Sequence, residues 1–100
     1  MKNNKDKSIL LRTLGDSPRL RILDFLLDNH LFDFSKKEMI EGSGISRPTF
    51  YKYFRKIVSE ELVVVNRQFG KAKLYKLNTK NPKVKILLEI DQQICKKPKR

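Results

Sequence analysis

The segment from Ser43 to Val58, SGISRPTFYKYFRKIV, restricts the fold of this chain more than any other stretch. A glycine-containing turn leads into Ser46, whose hydroxyl can cap a helix. Pro48 follows in the first turn, where its missing N–H costs nothing. Three large apolar residues then recur at spacings of four and three, typical of one buried helix face: Phe50, Phe54 and Ile57. The pattern predicts a helix with an aromatic inner side and a basic outer side.

A shorter helix is predicted directly before this one. Ser35 and Glu38 have the Ser-x-x-Glu spacing of a capping box, which predicts a helix that begins after Ser35. Gly42 and Gly44 are predicted to end it within a few residues. A short helix, a compact turn and a second helix at about residues 36–60 together indicate a helix-turn-helix.

Two further helices are predicted in the first third of the chain. Ser8 can cap a short helix that runs to about Leu14, and Gly15 ends it. Asp16 or Ser17 can cap the next helix, PRLRILDFLLDN, whose wide apolar stripe indicates burial on much of its surface. The stretch HLFDFS, which follows it, is predicted to be short and extended.

A β-hairpin and a last helix are predicted after the helix-turn-helix. The runs LVVVNRQF and AKLYKL flank Gly70 and Lys71, which predicts a hairpin at about residues 62–78. The last helix is predicted at about residues 82–95, before a basic tail at residues 96–100. The expected fold class is therefore α+β and mainly helical, in a single domain that spans residues 1–100.

The charge of the chain indicates an anionic partner. Lys and Arg number 23 against 11 Asp and Glu, which gives a formal net charge of +12 in 100 residues. Residues 16–45 contain four basic and six acidic side chains, whereas residues 62–80 contain five basic and no acidic ones. A generally basic proteome is an alternative explanation of the total but not of this distribution. Nucleic acid is the expected partner.

A helix-turn-helix followed by a basic hairpin suits double-stranded DNA, with the second helix in the major groove. Candidate base-contacting residues on this helix are Arg47, Thr49, Tyr51 and Lys52. Candidate phosphate-contacting residues on the same helix are Ser46, Tyr53, Arg55 and Lys56. The hairpin contributes Arg67, Lys71 and Lys73, predicted to lie along the backbone or in the minor groove. Tyr53 suits packing equally well, and the hairpin lysines also suit a solvated face.

From Leu20 to Leu77 the sequence resembles the winged helix-turn-helix domains of the ArsR/MarR-like superfamily of prokaryotic transcription regulators. Their early core helix is resembled by RLRILDFLL. Their two helices and the start of their wing are resembled by FSKKEMIEGSGISRPTFYKYFRKIVSEELVVV, and the wing itself by NRQFGKAKLYKLN. The resemblance implies a sequence-specific DNA-binding regulator. Glu61 departs from it, since members usually have a small residue, often Gly, at that point. GISRPTFYKYF also resembles the recognition helix of TetR-type repressors, but only locally.

The last helix is predicted to form a homodimer, with help from the first helix. Winged regulators of the kind implied by the resemblance are mostly symmetric dimers. An apolar stripe on this helix offers the interface: Leu87, Ile90 and Ile94. The alternative is a helix that packs only on its own domain.

Nothing in the sequence indicates an enzyme, a cofactor, a metal site or a small-molecule ligand. It has no paired carboxylates on one face, no Ser/His/Asp grouping and no phosphate loop. His30 and Cys95 are far apart, and Cys95 is expected to be a packing residue that cannot form an internal disulfide. A cytoplasmic location is expected, since no signal peptide or membrane-length apolar run is found. A winged-helix module for protein or RNA contacts in a larger assembly remains the alternative function.

Overall fold

The computed structural model describes residues 9–94, along which it has five helices and one two-stranded antiparallel sheet. The elements in chain order are α1 (Ile9–Leu14), α2 (Pro18–Asp28), α3 (Lys36–Ser43), α4 (Arg47–Ser59), β1 (Val63–Phe69), β2 (Ala72–Leu77) and α5 (Pro82–Ile94). This order confirms the predicted α+β class, with a hairpin after the helix-turn-helix. The cap predicted at Ser8, the packing of Cys95 and the tail at residues 96–100 lie outside the described residues.

Side-chain caps set where the helices begin. Ser17, rather than Asp16, caps α2 by accepting a backbone N–H at 3.1 Å. Ser35 and Glu38 form the predicted capping box of α3. The Glu38 N–H donates to Ser35 Oγ at 3.1 Å, and the Ser35 N–H donates to Glu38 Oε1 at 2.8 Å. Gly44 ends α3 at φ +73, as predicted. These bonds satisfy N–H groups that a helix start otherwise leaves open, so the boundaries are fixed locally.

Gly42 does not end α3, and this part of the prediction is wrong. The residue lies inside α3, facing α2. A Cβ built on Gly42 would be 2.2 Å from Cε1 of Phe25, well inside van der Waals contact. The glycine therefore allows α3 to approach the Phe25 ring, which also packs against the ring of Phe34 with centroids 4.7 Å apart.

One apolar core joins the helices to the base of the hairpin. Helix α2 contributes most of its inner surface: Ile22, Leu23, Leu26 and Leu27. From α4, Phe50 and Phe54 stack with their centroids 4.7 Å apart, and Phe54 meets Tyr75 of β2 edge-on at 5.1 Å. The inner face of α4 is buried, as its apolar spacing predicts, and the structure shows that it packs against both α2 and the sheet.

The hairpin is tied to the helices on one side and free at its tip. Phe34 and Tyr75 exchange two backbone hydrogen bonds of 2.8 and 2.7 Å, so one residue of the predicted extended stretch pairs with β2. Leu31 and Phe32, in the same stretch, instead lie in an exposed turn after α2. Strand β1 runs out to Phe69, where the two-residue loop begins.

The chain leaves α4 through a strained residue held by its neighbours. Glu61 has φ +60, which residues other than glycine rarely adopt. The side chains of Asn78 and Asn81 donate to its carbonyl at 3.0 and 2.9 Å. Arg19 of α2 forms an ion pair with Glu60, which lowers the pKa of the Glu60 carboxyl. These contacts fix the end of α4 against the starts of α2 and α5.

Candidate nucleic-acid interface

The outer side of α4 carries the residues predicted to contact bases. Arg47, Tyr51 and Lys52 are exposed, and Thr49 is half-buried. With 3.6 residues per turn, Tyr51 and Lys52 lie away from the stripe that Phe50 begins in the core. The helix therefore presents a cationic and aromatic surface on a rigidly packed backbone. Arg55 and Lys56 are also exposed and extend this surface toward the end of the helix.

Two predicted phosphate-contacting residues of α4 have roles within the protein. Ser46 is the N-cap, because its Oγ accepts the Thr49 N–H at 3.3 Å and donates to Thr49 Oγ1 at 2.8 Å. Tyr53 is half-buried and packs against the core, with Nζ of Lys52 5.6 Å from its ring centroid. Contacts from either residue to phosphate stay a prediction. The positive end of the helix at Ser46 faces outward and favours an anion.

All three predicted wing residues are exposed, and one of them, Arg67, is also paired within the protein. Lys71 and Lys73 are exposed near the tip. Arg67 forms a two-point ion pair with Asp33, from Nε to Oδ2 at 2.7 Å and from Nη2 to Oδ1 at 2.9 Å. Asn66 donates to the same carboxylate at 2.8 Å. The Arg67 guanidinium, followed by the Asn66 amide, lowers the pKa of Asp33 to about 2.

Lys36 and Lys37, in the first turn of α3, were not among the predicted site residues. The Nζ of Lys36 is 5.6 Å from the ring centroid of Tyr51 and 5.9 Å from that of Tyr75, so it lies beside the outer side of α4. Cations at a helix start oppose the helix dipole. A bound anion would offset this unfavourable interaction, and two lysines directly after a capping serine are the sequence feature that could indicate such a contact.

The predicted dimer residues on α5 are partly covered by their own chain. Leu87, Ile90 and Ile94 are half-buried against the core, and Val84 alone among the described α5 residues is fully buried. The neighbouring Ile86 exposes 56% of its surface. Helix α5 thus has apolar surface on two sides, one packed and one open. No helix among residues 9–94 is both long and apolar enough to span a bilayer.

Three carboxylates between α2 and α5 are the one group in the described residues whose spacing could suit a cation. Asp24, Asp28 and Asp91 each bring an oxygen within 4.8 Å of the others. Acidic side chains commonly cluster at surfaces without an ion, and none of these three residues belongs to α4 or the wing.

Comparison with characterised proteins gives matches to transcription regulators. No protein-family model matches the chain. The HTH-type transcriptional regulator EthR of Mycobacterium tuberculosis is 38% identical over an alignment of 65 residues that covers 61% of this chain and 30% of EthR. The chain thus matches less than a third of that protein's length. The arsenical resistance operon repressor of Staphylococcus aureus is 35% identical over 74 residues, covering 74% of this chain and 67% of the repressor.

Solved structures share the fold. Reduced HlyU from Vibrio cholerae has a TM-score of 0.62 at 22% identity, covering 89% of this chain and 87% of HlyU. A second structure is that of Mb0332 from Mycobacterium bovis, a homodimeric winged helix-turn-helix DNA-binding domain of a possible ArsR-family regulator. It has a TM-score of 0.57 at 21% identity, and the match covers 86% of this chain and 74% of the Mb0332 chain. With the match to the staphylococcal repressor, the chain belongs to the family of the arsenical resistance operon repressors, winged helix-turn-helix transcription regulators.

Proposed function

We propose that this chain binds double-stranded DNA in a sequence-specific manner and regulates transcription. One observation carries the proposal: the outer side of α4 exposes Arg47, Tyr51 and Lys52 while Phe50 and Phe54 anchor the helix in the core. A recognition helix needs this combination, because its backbone must be held rigidly while its outer side chains reach base edges in the major groove.

Positive groups on both sides of α4 support the same docking. Lys36 lies beside Tyr51 at the start of α3, and Lys71 and Lys73 are exposed on the wing. These lysines suit phosphate contacts, which orient a protein on the duplex without reading its sequence. The wing then lies along the backbone or in the minor groove. We further propose a cytoplasmic location, where a regulator of this family meets its DNA.

We propose that the working form is a homodimer that pairs through α5, with help from α1. The partly open apolar surface of α5 supports this pairing, as does Leu14 of α1, which exposes 52% of its surface. A twofold dimer places two copies of α4 on one side of the duplex. It would read two half-sites about one helical turn, or roughly 34–36 Å, apart.

The experiment is selection of duplexes from a random pool, followed by affinity measurement over a salt series. The selected duplex and a scrambled duplex of the same composition are compared by fluorescence anisotropy. We expect both to bind with a steep salt dependence, and the selected duplex to bind at least ~10³-fold more tightly.

Two other outcomes would redirect the proposal. Equal, salt-sensitive binding to both duplexes would mean a protein that recognises phosphates and not sequence. Little binding to either at physiological salt, together with a stable complex with another protein or with RNA, would favour the winged-helix contact module and would rule out DNA regulation.

A further inference from the structure

Phe69 is a large apolar residue at the exposed tip of the wing. It is the last residue of β1, and 61% of its surface is open to solvent. Its partner across the hairpin is Ala72, whose side chain is too small to cover the ring. The two loop residues are Gly70, at φ +60, and Lys71, so the tight turn adds no apolar neighbour. The ring is therefore left uncovered by the fold.

The uncovered ring is nevertheless held in place. The guanidinium carbon of Arg67 lies 5.6 Å from the Phe69 ring centroid, as in a cation–π contact. Arg67 is fixed in turn by its two-point ion pair with Asp33, whose side chain is only 9% exposed. A series of contacts from the turn after α2 to the wing tip thus orders the aromatic side chain before any partner binds. Such preorganisation lowers the entropy that binding must overcome.

The surroundings of the ring are cationic. Lys71 lies in the loop beside it, and Lys73 lies on β2 opposite Gln68. No acidic residue occurs between residues 62 and 80, and the nearby Asp33 is neutralised by Arg67. An apolar protein surface would leave these lysines desolvated and unpaired, whereas a nucleic-acid groove offers phosphates to them and an apolar base surface to the ring.

We propose that Phe69 is a base-contacting residue of the wing, packing its ring against base pairs in the minor groove while Lys71 and Lys73 bind the flanking phosphates. This inference rests on the DNA binding proposed above and adds which residue of the wing touches bases. Proteins that bind the minor groove often insert apolar side chains, Phe among them, at base steps. In this arrangement Arg67 is a positioning residue for the ring.

The chain contains no tryptophan, so Phe69→Trp creates a single fluorescent reporter at the wing tip. The probe is an unlabelled mixed-sequence duplex of about three helical turns, with binding followed in parallel by the anisotropy of a labelled copy. We expect the emission of this variant to be quenched as the duplex binds, because an excited indole in contact with bases loses its excitation by electron transfer to them. The matched control is Phe32→Trp, since Phe32 is 63% exposed in the turn after α2 and should keep its emission.

Affinity gives the second measurement. Phe69→Ala should weaken duplex binding about fivefold or more, the lower end of what stacking on an aromatic ring contributes. The slope of log K against log salt should not change, because no charge is lost. Lys71→Ala should show the opposite pattern, with a slope lowered by about 1. Phe69→Tyr, which keeps the ring, should bind nearly as wild type does.

Each alternative result has one meaning. If Phe69→Ala binds as wild type does, or the emission of Phe69→Trp stays constant while anisotropy reports binding, Phe69 does not contact bases and the inference is overturned, although DNA binding stands. If the wild-type chain binds no duplex even at low salt, both the proposed function and this inference are wrong.

Discussion

At the scale of single residues, Glu61 is the only described residue other than glycine with a positive φ. The left-handed conformation costs an L residue roughly 1–2 kcal/mol, and glycine avoids most of that cost. Part of the gain is offset because glycine has more freedom in the unfolded chain. We therefore expect Glu61→Gly to raise the free energy of unfolding, measured with urea, by about 1 kcal/mol.

The control for this prediction is Glu61→Ala, which removes the carboxylate but keeps the Cβ. It should leave the strain in place and gain little. Equal stabilisation by both variants would mean that the charge of Glu61, and not its backbone conformation, destabilises the fold.

Base readout and phosphate binding can also be separated at the scale of residues. Arg47→Ala should reduce discrimination between the selected and scrambled duplexes by about 1–3 kcal/mol, because one residue that reads a base edge is lost. Lys36→Ala should weaken binding to both duplexes equally and lower the salt slope by about 1. Lys85→Ala, at an exposed position on α5, removes the same charge away from α4 and the wing. An identical loss from all three variants would argue for a general charge effect and against this docking.

At the scale of elements, the wing is joined to the turn after α2 by the Asp33–Arg67 pair. The pKa of Asp33 is about 2, and the hydrogen bond from Arg67 is the largest cause of this lowering. The pair therefore stabilises the wing fully at pH values above 3.8, the ordinary pKa of the carboxyl. That contribution is lost as pH falls through about 2. The anchor is therefore intact and insensitive to pH near neutrality.

We expect Arg67→Ala to raise the pKa of Asp33 toward 3.8 without reaching it, since the Asn66 amide still donates to the carboxylate. The measurement is the carboxyl carbon chemical shift of Asp33 by NMR during an acid titration. Arg21→Ala is the matched control, because it breaks a similar pair with Asp16 and should leave Asp33 unchanged. An unchanged Asp33 pKa in Arg67→Ala would show that the pair does not persist in solution.

The same elements show which features a sequence can predict. The caps at Ser17, Ser35 and Ser46 act within three residues, so the starts of α2, α3 and α4 were predictable from local spacing. The need for a glycine at position 42 was not predictable from local spacing, because it comes from the close approach of Phe25 on another helix.

The candidate site divides in the same way. The outer side of α4 follows from helical periodicity and was predictable. The bond between Arg67 and Asp33 joins residues 34 positions apart, and no spacing rule connects them. The sequence predicts Arg67 as a wing residue along the DNA backbone or in the minor groove, and that contact stays a prediction. Its pairing with the Asp33 carboxylate can be seen only in the fold.

At the scale of the whole molecule, the proposed homodimer predicts the molecular mass in solution and a mutation that should halve it. Wild type should have twice the 11.8 kDa mass of one chain in light scattering at micromolar concentration. Ile86→Asp should reduce the mass to that of one chain, because it places a charge in apolar surface that the partner would cover. Ile86 is a sharper test than the half-buried Leu87, whose replacement would also disturb the chain's own core.

Val64→Asp is the control, since Val64 is 42% exposed on β1 and not on α5. This variant should stay dimeric.

DNA binding provides a second readout of the same variants. A monomer holds only one copy of α4, so Ile86→Asp should bind a duplex with two half-sites no better than a duplex with one. Wild type should prefer two half-sites about one helical turn apart and lose that preference when half a turn is inserted between them. If the wild-type chain is monomeric in solution yet keeps this spacing preference, the two copies meet only on DNA. If the wild-type chain binds equally well at any spacing of the half-sites, α5 does not pair two copies.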